Sequence, residues 1–100
     1  MEILISDSAF GDLESIKEYY SEQNVLNIGQ EFVVSNFEHI QTLLDYPSIG
    51  RIVPEFNEEH IREIIHLPFR IVYLRGATSI QIIRVWRSSE RLLVLPEGET

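Results

Sequence analysis

Cysteine is missing from the 100-residue chain, so a disulfide framework and a cysteine-ligated zinc site are excluded and nothing points to secretion. Long hydrophobic runs are missing too, since none approaches the roughly 18 apolar residues of a membrane span. The first ten residues contain no Lys or Arg, which does not fit a signal peptide. We therefore expect a cytoplasmic protein with no membrane partner.

Positive charge is scarce and unevenly distributed. Eight Lys and Arg residues oppose sixteen Asp and Glu residues, for a formal net charge of −8. Residues 1–50 carry nine acids and one Lys, whereas seven Arg and seven Glu balance in residues 51–100. This balance disfavours a nucleic-acid binder that depends on neutralising phosphates. The arginine-rich half suits either an acidic partner protein or a phosphate, and composition does not choose between them.

The first half of the chain predicts a strand and two helices. Residues 2–5 form a short apolar run, and the polar residues 6–8 supply side-chain oxygens for a helix N-cap. Apolar residues then recur at helical spacing, with acids such as Asp12 on the other face. A second amphipathic helix is predicted over 28–45 and is ended by Pro47, so the two helices form an αα-hairpin.

The second half changes to the periodicity of a β-sheet. Three short runs rich in β-branched and aromatic residues are separated by turn residues: 61–67, 69–75 and 79–87. The element order predicts an α+β fold, in which an N-terminal strand and an αα-hairpin packed on one face accompany a small antiparallel sheet. The length predicts a single domain, 1–100, with a frayed tail over 94–100.

Both faces of the predicted sheet are largely apolar. Strict alternation over 69–75 separates Phe69, Ile71 and Tyr73 from Val72 and Leu74. Over 80–87 it places on one face Ile80, Ile82, Arg84 and Trp86, and on the other Gln81, Ile83, Val85 and Arg87. Two helices can cover only one face. We therefore expect the other face to be an exposed apolar surface that binds a partner.

Arginines dominate the candidate site residues. Arg makes planar contacts with carboxylates, phosphates and aromatic rings that Lys makes less well, and Trp with Arg is typical of binding hot spots. The candidates for partner or target binding are Arg62, Arg70, Tyr73, Arg84, Trp86, Arg87 and Arg91. The plainer alternative is that these arginines pair with glutamates on neighbouring strands. Arg51 and Glu55 are expected to be structural residues of the turn after the second helix.

Metal and catalytic sites have little support in the pattern. The three histidines, His39, His60 and His66, lack the spacing of a metal-binding pair. No Gly-rich phosphate loop is present, and Ser88 and Ser89 have no neighbouring His to act as a base. No cofactor is expected. Arg70 and Arg84 are the only candidates for a catalytic role, as groups that stabilise a phosphate.

Three segments follow one another along the second half of the chain: YPSIGRIVPEF, IREIIHLPFRIVYLR and IQIIRVWRSSERLL. They resemble the C-terminal half of the RelE/ParE toxin superfamily of type II toxin–antitoxin systems. The family pattern of a Gly-Arg-x-x-Pro-Glu turn, an Arg-Glu strand, an aromatic-Arg-Ile-x-Tyr strand and a closing Arg-x-Leu falls on Gly50–Glu55, Arg62–Glu63, Phe69–Tyr73 and Arg91–Leu93. With the N-terminal strand and acidic helical hairpin, the resemblance covers residues 2–93.

The resemblance implies a toxin that a cognate antitoxin neutralises in a hetero-oligomer, by folding a helix and often an added strand over it. RelE-like members cut mRNA on the ribosome with the help of a C-terminal His or Tyr, and ParE-like members act on DNA gyrase. Here Arg87 stands where many relatives carry a His, and no His or Tyr follows Tyr73. Because Arg stays protonated, it is a poor base. We favour a ParE-like gyrase inhibitor, with a ribosome-dependent mRNA endonuclease or a non-toxic interaction module as alternatives.

Overall fold

The computed structural model describes residues 1–88, which form a helical hairpin and one sheet. The elements are, in order, β1 (Glu2–Ile5), α1 (Asp7–Glu22), α2 (Leu26–Gln41), β2 (Arg51–Ile52), β3 (Ile61–His66), β4 (Phe69–Arg75) and β5 (Ser79–Arg87). The predicted α+β class is confirmed. Arg91 and the tail 94–100, for which fraying was expected, lie outside the described residues.

The sheet has the strand order β1-β5-β4-β3-β2. β2 to β5 form the predicted antiparallel sheet as a meander, and the N-terminal strand β1 joins it parallel to β5, so the complete sheet is mixed. The helical hairpin is the reason, because it carries the chain from β1 at one edge to β2 at the other. No helix within residues 1–88 is long and apolar enough to cross a membrane.

Both helices have identifiable ends. Ser6 caps α1, because its Oγ accepts a hydrogen bond from the N–H of Ala9 at 3.1 Å. Asn24 takes a left-handed backbone conformation, with φ of 62°, in the turn between the helices. The second helix begins at Leu26 and continues as a 3₁₀ turn over Thr42–Leu44, which accounts for the predicted end near residue 45.

The main core lies between the helical hairpin and one face of the sheet. Phe69, Ile71 and Tyr73 of β4 are fully buried on this face, as the alternation predicted. They pack with residues of β5 and of the helices: Ile80, Ile82, Val85, Ala9, Leu13, Ile16, Ile40 and Leu43. Burial of each large apolar side chain contributes about 1.5–3 kcal/mol, so this layer supplies most of the hydrophobic stabilisation.

A β-bulge in β5 changes which side chains face the helices. Val72 of β4 pairs with Arg84 and Tyr73 with Ile82, so the register skips Ile83. Val85 therefore joins the helix-side core, and Trp86 packs on the opposite face. The predicted grouping of Ile82, Arg84 and Trp86 on one face was wrong, because strict alternation fails wherever a strand contains an extra residue.

The second face of the sheet is not the open apolar surface that was expected. The segment between β2 and β3 folds back over it, and its Val53 is fully buried against Ile61 and Val72. Partly buried Phe56, Ile83 and Trp86 complete this smaller core. Leu74 and Ile65 remain open to solvent, with exposures of 38% and 43%.

Candidate functional site

Arg70, one of the predicted site residues, belongs to a buried ion-pair network. Glu63 is fully buried and accepts hydrogen bonds at 2.7 Å from both Arg51 and Arg70. Arg70 also donates to both carboxylate oxygens of Glu55, at 2.9 and 3.0 Å. Hydrogen bonding to Glu55 raises the pKa of Arg70. Only 6% of the Arg70 side chain is exposed. Arg70 therefore pairs with glutamates of neighbouring segments, which is the plainer alternative to a binding role.

Tyr73, another predicted site residue, is fully buried beneath the loop that follows α2. Its Oη accepts from the N–H of Gly50 at 3.0 Å and donates to the carbonyl of Pro47 at 3.1 Å. Burial raises the pKa of Tyr73, which keeps the phenol neutral. Gly50 is required here, since a Cβ would lie 2.6 Å from that same Oη. Tyr73 therefore fastens the loop and presents no surface to a partner.

Arg84 connects β5 to α1 through Asp12. Arg84 donates from Nε and Nη2 to the two carboxylate oxygens at 2.7 and 2.6 Å. Asp12 also accepts from the backbone N–H of Val85 at 2.9 Å. The Arg84 guanidinium lies 4.5 Å from the ring centre of Trp86. Asp12, predicted on the outer face of its helix, thus joins α1 to the edge of β5.

Arg87 lies at the end of β5 against aromatic rings of α1. Its guanidinium carbon is 4.8 Å from the ring centre of Tyr19 and 5.6 Å from that of Tyr20. Its Nη2 also donates to Tyr20 Oη at 3.1 Å. Tyr19 is 48% exposed, so a partner has access to this cation–π cluster. The two tyrosines were not predicted as site residues, because no sequence spacing relates α1 to residue 87.

These residues surround a groove of about 400 Å³ between α1 and the end of β5. We call it the β5 groove, and its lining includes Asp12, Tyr19, Phe69, Arg84, Trp86 and Arg87. β1 pairs only with residues 79–82 of β5, and no other strand of residues 1–88 pairs with this edge of β5 beyond Ile82. On this edge the carbonyl of Ile83 accepts from Ser6 Oγ and the N–H of Val85 donates to Asp12, so an extended peptide can add as a strand only beyond Val85.

The remaining candidates lie elsewhere. Arg62 is at the other end of the sheet, where its Nη1 donates to the carbonyl of Gly50 at 2.9 Å, and Arg91 is outside the described residues.

His39 and His66 stack with ring centres 3.7 Å apart, and His66 Nε2 makes a short hydrogen bond with Ser35 Oγ. Within residues 1–88, no group of three or more His, Asp or Glu side chains is placed to hold a metal ion.

Comparison with protein families matches residues 3–92 to the ParE toxin of type II toxin–antitoxin systems, parDE. The chain belongs to the ParE toxin family. Among solved structures, it resembles a chain described as "Chromosomal ParDE TA system from P. aeruginosa", with 21% identity and a TM-score of 0.73 over 87% of this chain and 95% of that chain. At this identity, the likeness concerns the fold alone. Curated protein sequences give no match.

The predicted ParE-like resemblance is thereby confirmed, and the geometry sorts the candidates of this ParE family member. Arg84, Trp86 and Arg87 come together at the β5 groove, where Asp12 and Tyr19 join them. Arg70 and Tyr73 are interior, and Arg62 lies apart from the groove.

Proposed function

We propose that this ParE family chain is a non-catalytic toxin that inhibits DNA gyrase in the cytoplasm and is neutralised by a cognate antitoxin bound at the β5 groove. The antitoxin segment would add a strand to the edge of β5 beyond Val85 and set an acidic or aromatic side chain against Arg87. The observation that carries the proposal is the extension of β5 past β1 beside an exposed cation–π cluster. Extended-strand addition gives affinity through the backbone, and the groove gives specificity through side chains.

The state of the two catalytic candidates supports a toxin without nuclease activity. An endonuclease needs open positive charge beside the scissile phosphate. Arg70 is buried and bound to two glutamates, and Arg84 is bound by both oxygens of Asp12. A phosphate approaching either residue would have to displace a carboxylate. We therefore favour gyrase over mRNA as the target.

The target is tested by inducing the gene alone in bacteria and following labelled thymidine and methionine incorporation. Thymidine incorporation is expected to fall first, and the purified chain is expected to inhibit supercoiling by gyrase. Prompt loss of methionine incorporation, with mRNA cut at codons in the ribosomal A site, would replace gyrase by the ribosome. Unchanged growth with abundant folded protein would leave a non-toxic interaction module.

The antitoxin site is tested by titrating purified toxin with its antitoxin. Arg87→Ala removes the guanidinium that lies against Tyr19 and Tyr20, and the loss of a hot-spot arginine is expected to weaken binding roughly 30-fold. Arg51→Gln is the control, because it also removes a positive charge, lies on β2 at the far edge of the sheet, and leaves an Nε2 that can donate to the buried Glu63 in place of the Arg Nε. Equal affinities for the two variants would place the antitoxin on another surface.

A further inference from the structure

Two arginines meet at the end of the sheet farthest from the β5 groove. Arg62 of β3 pairs with Tyr73 of β4, so Arg75 is its diagonal neighbour on the same face. Diagonal neighbours in an antiparallel pair lie about 7–8 Å apart. Arg75 is six residues from Phe69, which lines the β5 groove, and six residues of strand span about 20 Å. The two basic sites are therefore separate.

Both guanidiniums are held by neutral acceptors. Arg62 donates to the carbonyl of Gly50, while Arg75 donates from Nε to Ser48 Oγ at 3.0 Å and from Nη1 to the carbonyl of Gly76. Neither forms a salt bridge within residues 1–88, in contrast to the carboxylate-bound Arg51, Arg70 and Arg84. Each guanidinium has five N–H donors. Most of their hydrogen-bonding capacity is therefore available to a ligand.

The space in front of them is a pocket of about 610 Å³. We call it the Arg62–Arg75 pocket, and its lining also includes Ser48, Glu59, His60 and Leu74. Glu59 forms no ion pair with either arginine. Both arginines also lie near enough to the buried Tyr73 for their charges to oppose the rise in its pKa that burial causes. The two positive charges thus act on one small region, and Leu74 provides an apolar wall beside them.

We propose that the Arg62–Arg75 pocket binds the carboxylates of an acidic protein segment, independently of whatever occupies the β5 groove. Two guanidiniums on diagonal positions of neighbouring strands, both lining one pocket, suit a pair of acidic side chains. Leu74, which is partly exposed and also lines the pocket, offers an apolar contact to a protein side chain that a free phosphate would not supply. The net charge of −8 also repels a long polyanion such as a nucleic acid more strongly than a short segment with two acids. This proposal goes beyond the toxin function above and does not depend on it.

The test uses the ¹⁵N-labelled chain and a short blocked peptide of alternating glutamate and leucine. The glutamate peptide is expected to shift the Nε–H signals of Arg62 and Arg75 in NMR spectra. Its glutamine counterpart is expected to leave them unmoved. Each charge-assisted bond to a carboxylate accounts for roughly a tenfold change in affinity. The double variant with Arg62→Gln and Arg75→Gln should therefore weaken binding by about 100-fold, and Lys17→Gln, which removes a positive charge from α1 outside both pockets, should leave it unchanged.

Each outcome of the test decides the proposal. In the wild-type chain, the peptide would overturn the proposal if it shifted the Nε–H signal of Arg87 but not those of Arg62 and Arg75. This result does not depend on whether a variant folds. Equal binding of the glutamate and glutamine peptides would also overturn the proposal, since the carboxylates would then have no role. So would a single-stranded oligonucleotide or inorganic phosphate that shifts the same two signals at lower concentration than the peptide. Toxicity and antitoxin affinity are separate measurements, so failure here leaves the toxin function standing.

Discussion

The buried carboxylate of Glu63 should be the most sensitive charged position in the chain. Glu63→Gln keeps the shape but replaces one acceptor oxygen by an NH₂ group that faces the N–H donors of Arg51 or Arg70. Breaking a buried ion pair costs about 3–5 kcal/mol. Arg51 is 60% exposed and can be hydrated, and Arg70 keeps Glu55, so the low end of the range applies. We expect a loss of about 3 kcal/mol in the free energy of unfolding.

Urea unfolding followed by the fluorescence of Trp86, the only tryptophan, measures this loss. With an m-value of about 1 kcal/mol per M, the midpoint should fall by about 3 M. Glu55→Gln is the matched control, because Glu55 binds the same Arg70 but its side chain is 27% exposed. Its expected cost is about 1 kcal/mol. If the Glu63 and Glu55 variants lost equal stability, burial of the carboxylate would not be the deciding factor and the reasoning would fail.

Three further predictions concern stability. Gly50→Ala should cost about 2 kcal/mol, because its Cβ would clash with Tyr73 Oη at 2.6 Å; an unchanged thermal midpoint would contradict this. Ser6→Ala should cost about 1 kcal/mol by removing the N-cap bond to Ala9, which urea unfolding would detect. Burial, and to a smaller extent the neighbouring His39, lowers the pKa of His66 below its ordinary value of 6.5. As the pH falls, the unfolded chain therefore takes up the proton before the folded chain does. The free energy of unfolding should decrease as the pH falls from 6.5 through the folded pKa. A His66→Gln variant with the same pH dependence would refute that origin.

The arginines show why an uneven charge pattern is an incomplete guide to a binding surface. Seven arginines in the second half suggested one basic patch. In the fold, Arg70 and Arg84 are bound by carboxylates, Arg87 lies on aromatic rings, and Arg62 with Arg75 forms a separate pocket. The carboxylates that bind Arg70 and Arg84 come from β3, from the segment after β2 and from α1. Pairing at such distances in the chain depends on register, which residue spacing does not show.

Local pattern was sufficient for the elements and for the family. The N-cap at Ser6, the helical spacing of α1 and α2, and the change to strand periodicity after Pro54 depend on residues near one another in the chain. These features predicted the α+β class, and the ordered motifs from Gly50 onward predicted the ParE-like resemblance. The elements rest on interactions within a few residues, and the resemblance rests on short motifs in a fixed order, which is why the sequence alone could determine both.

Only the tertiary structure decided the shape of the candidate site. The skipped Ile83 reverses the facing of the last residues of β5, and this depends on pairing with β4. Asp12 reaches Arg84 across 72 residues of chain, and the segment after β2 covers the face that was expected to be open. An alternating sequence pattern does not show where a strand contains a bulge, and helical periodicity does not show which acid lies beside the edge of a strand. Those features arise from packing between distant segments, so they appear only once the chain is folded.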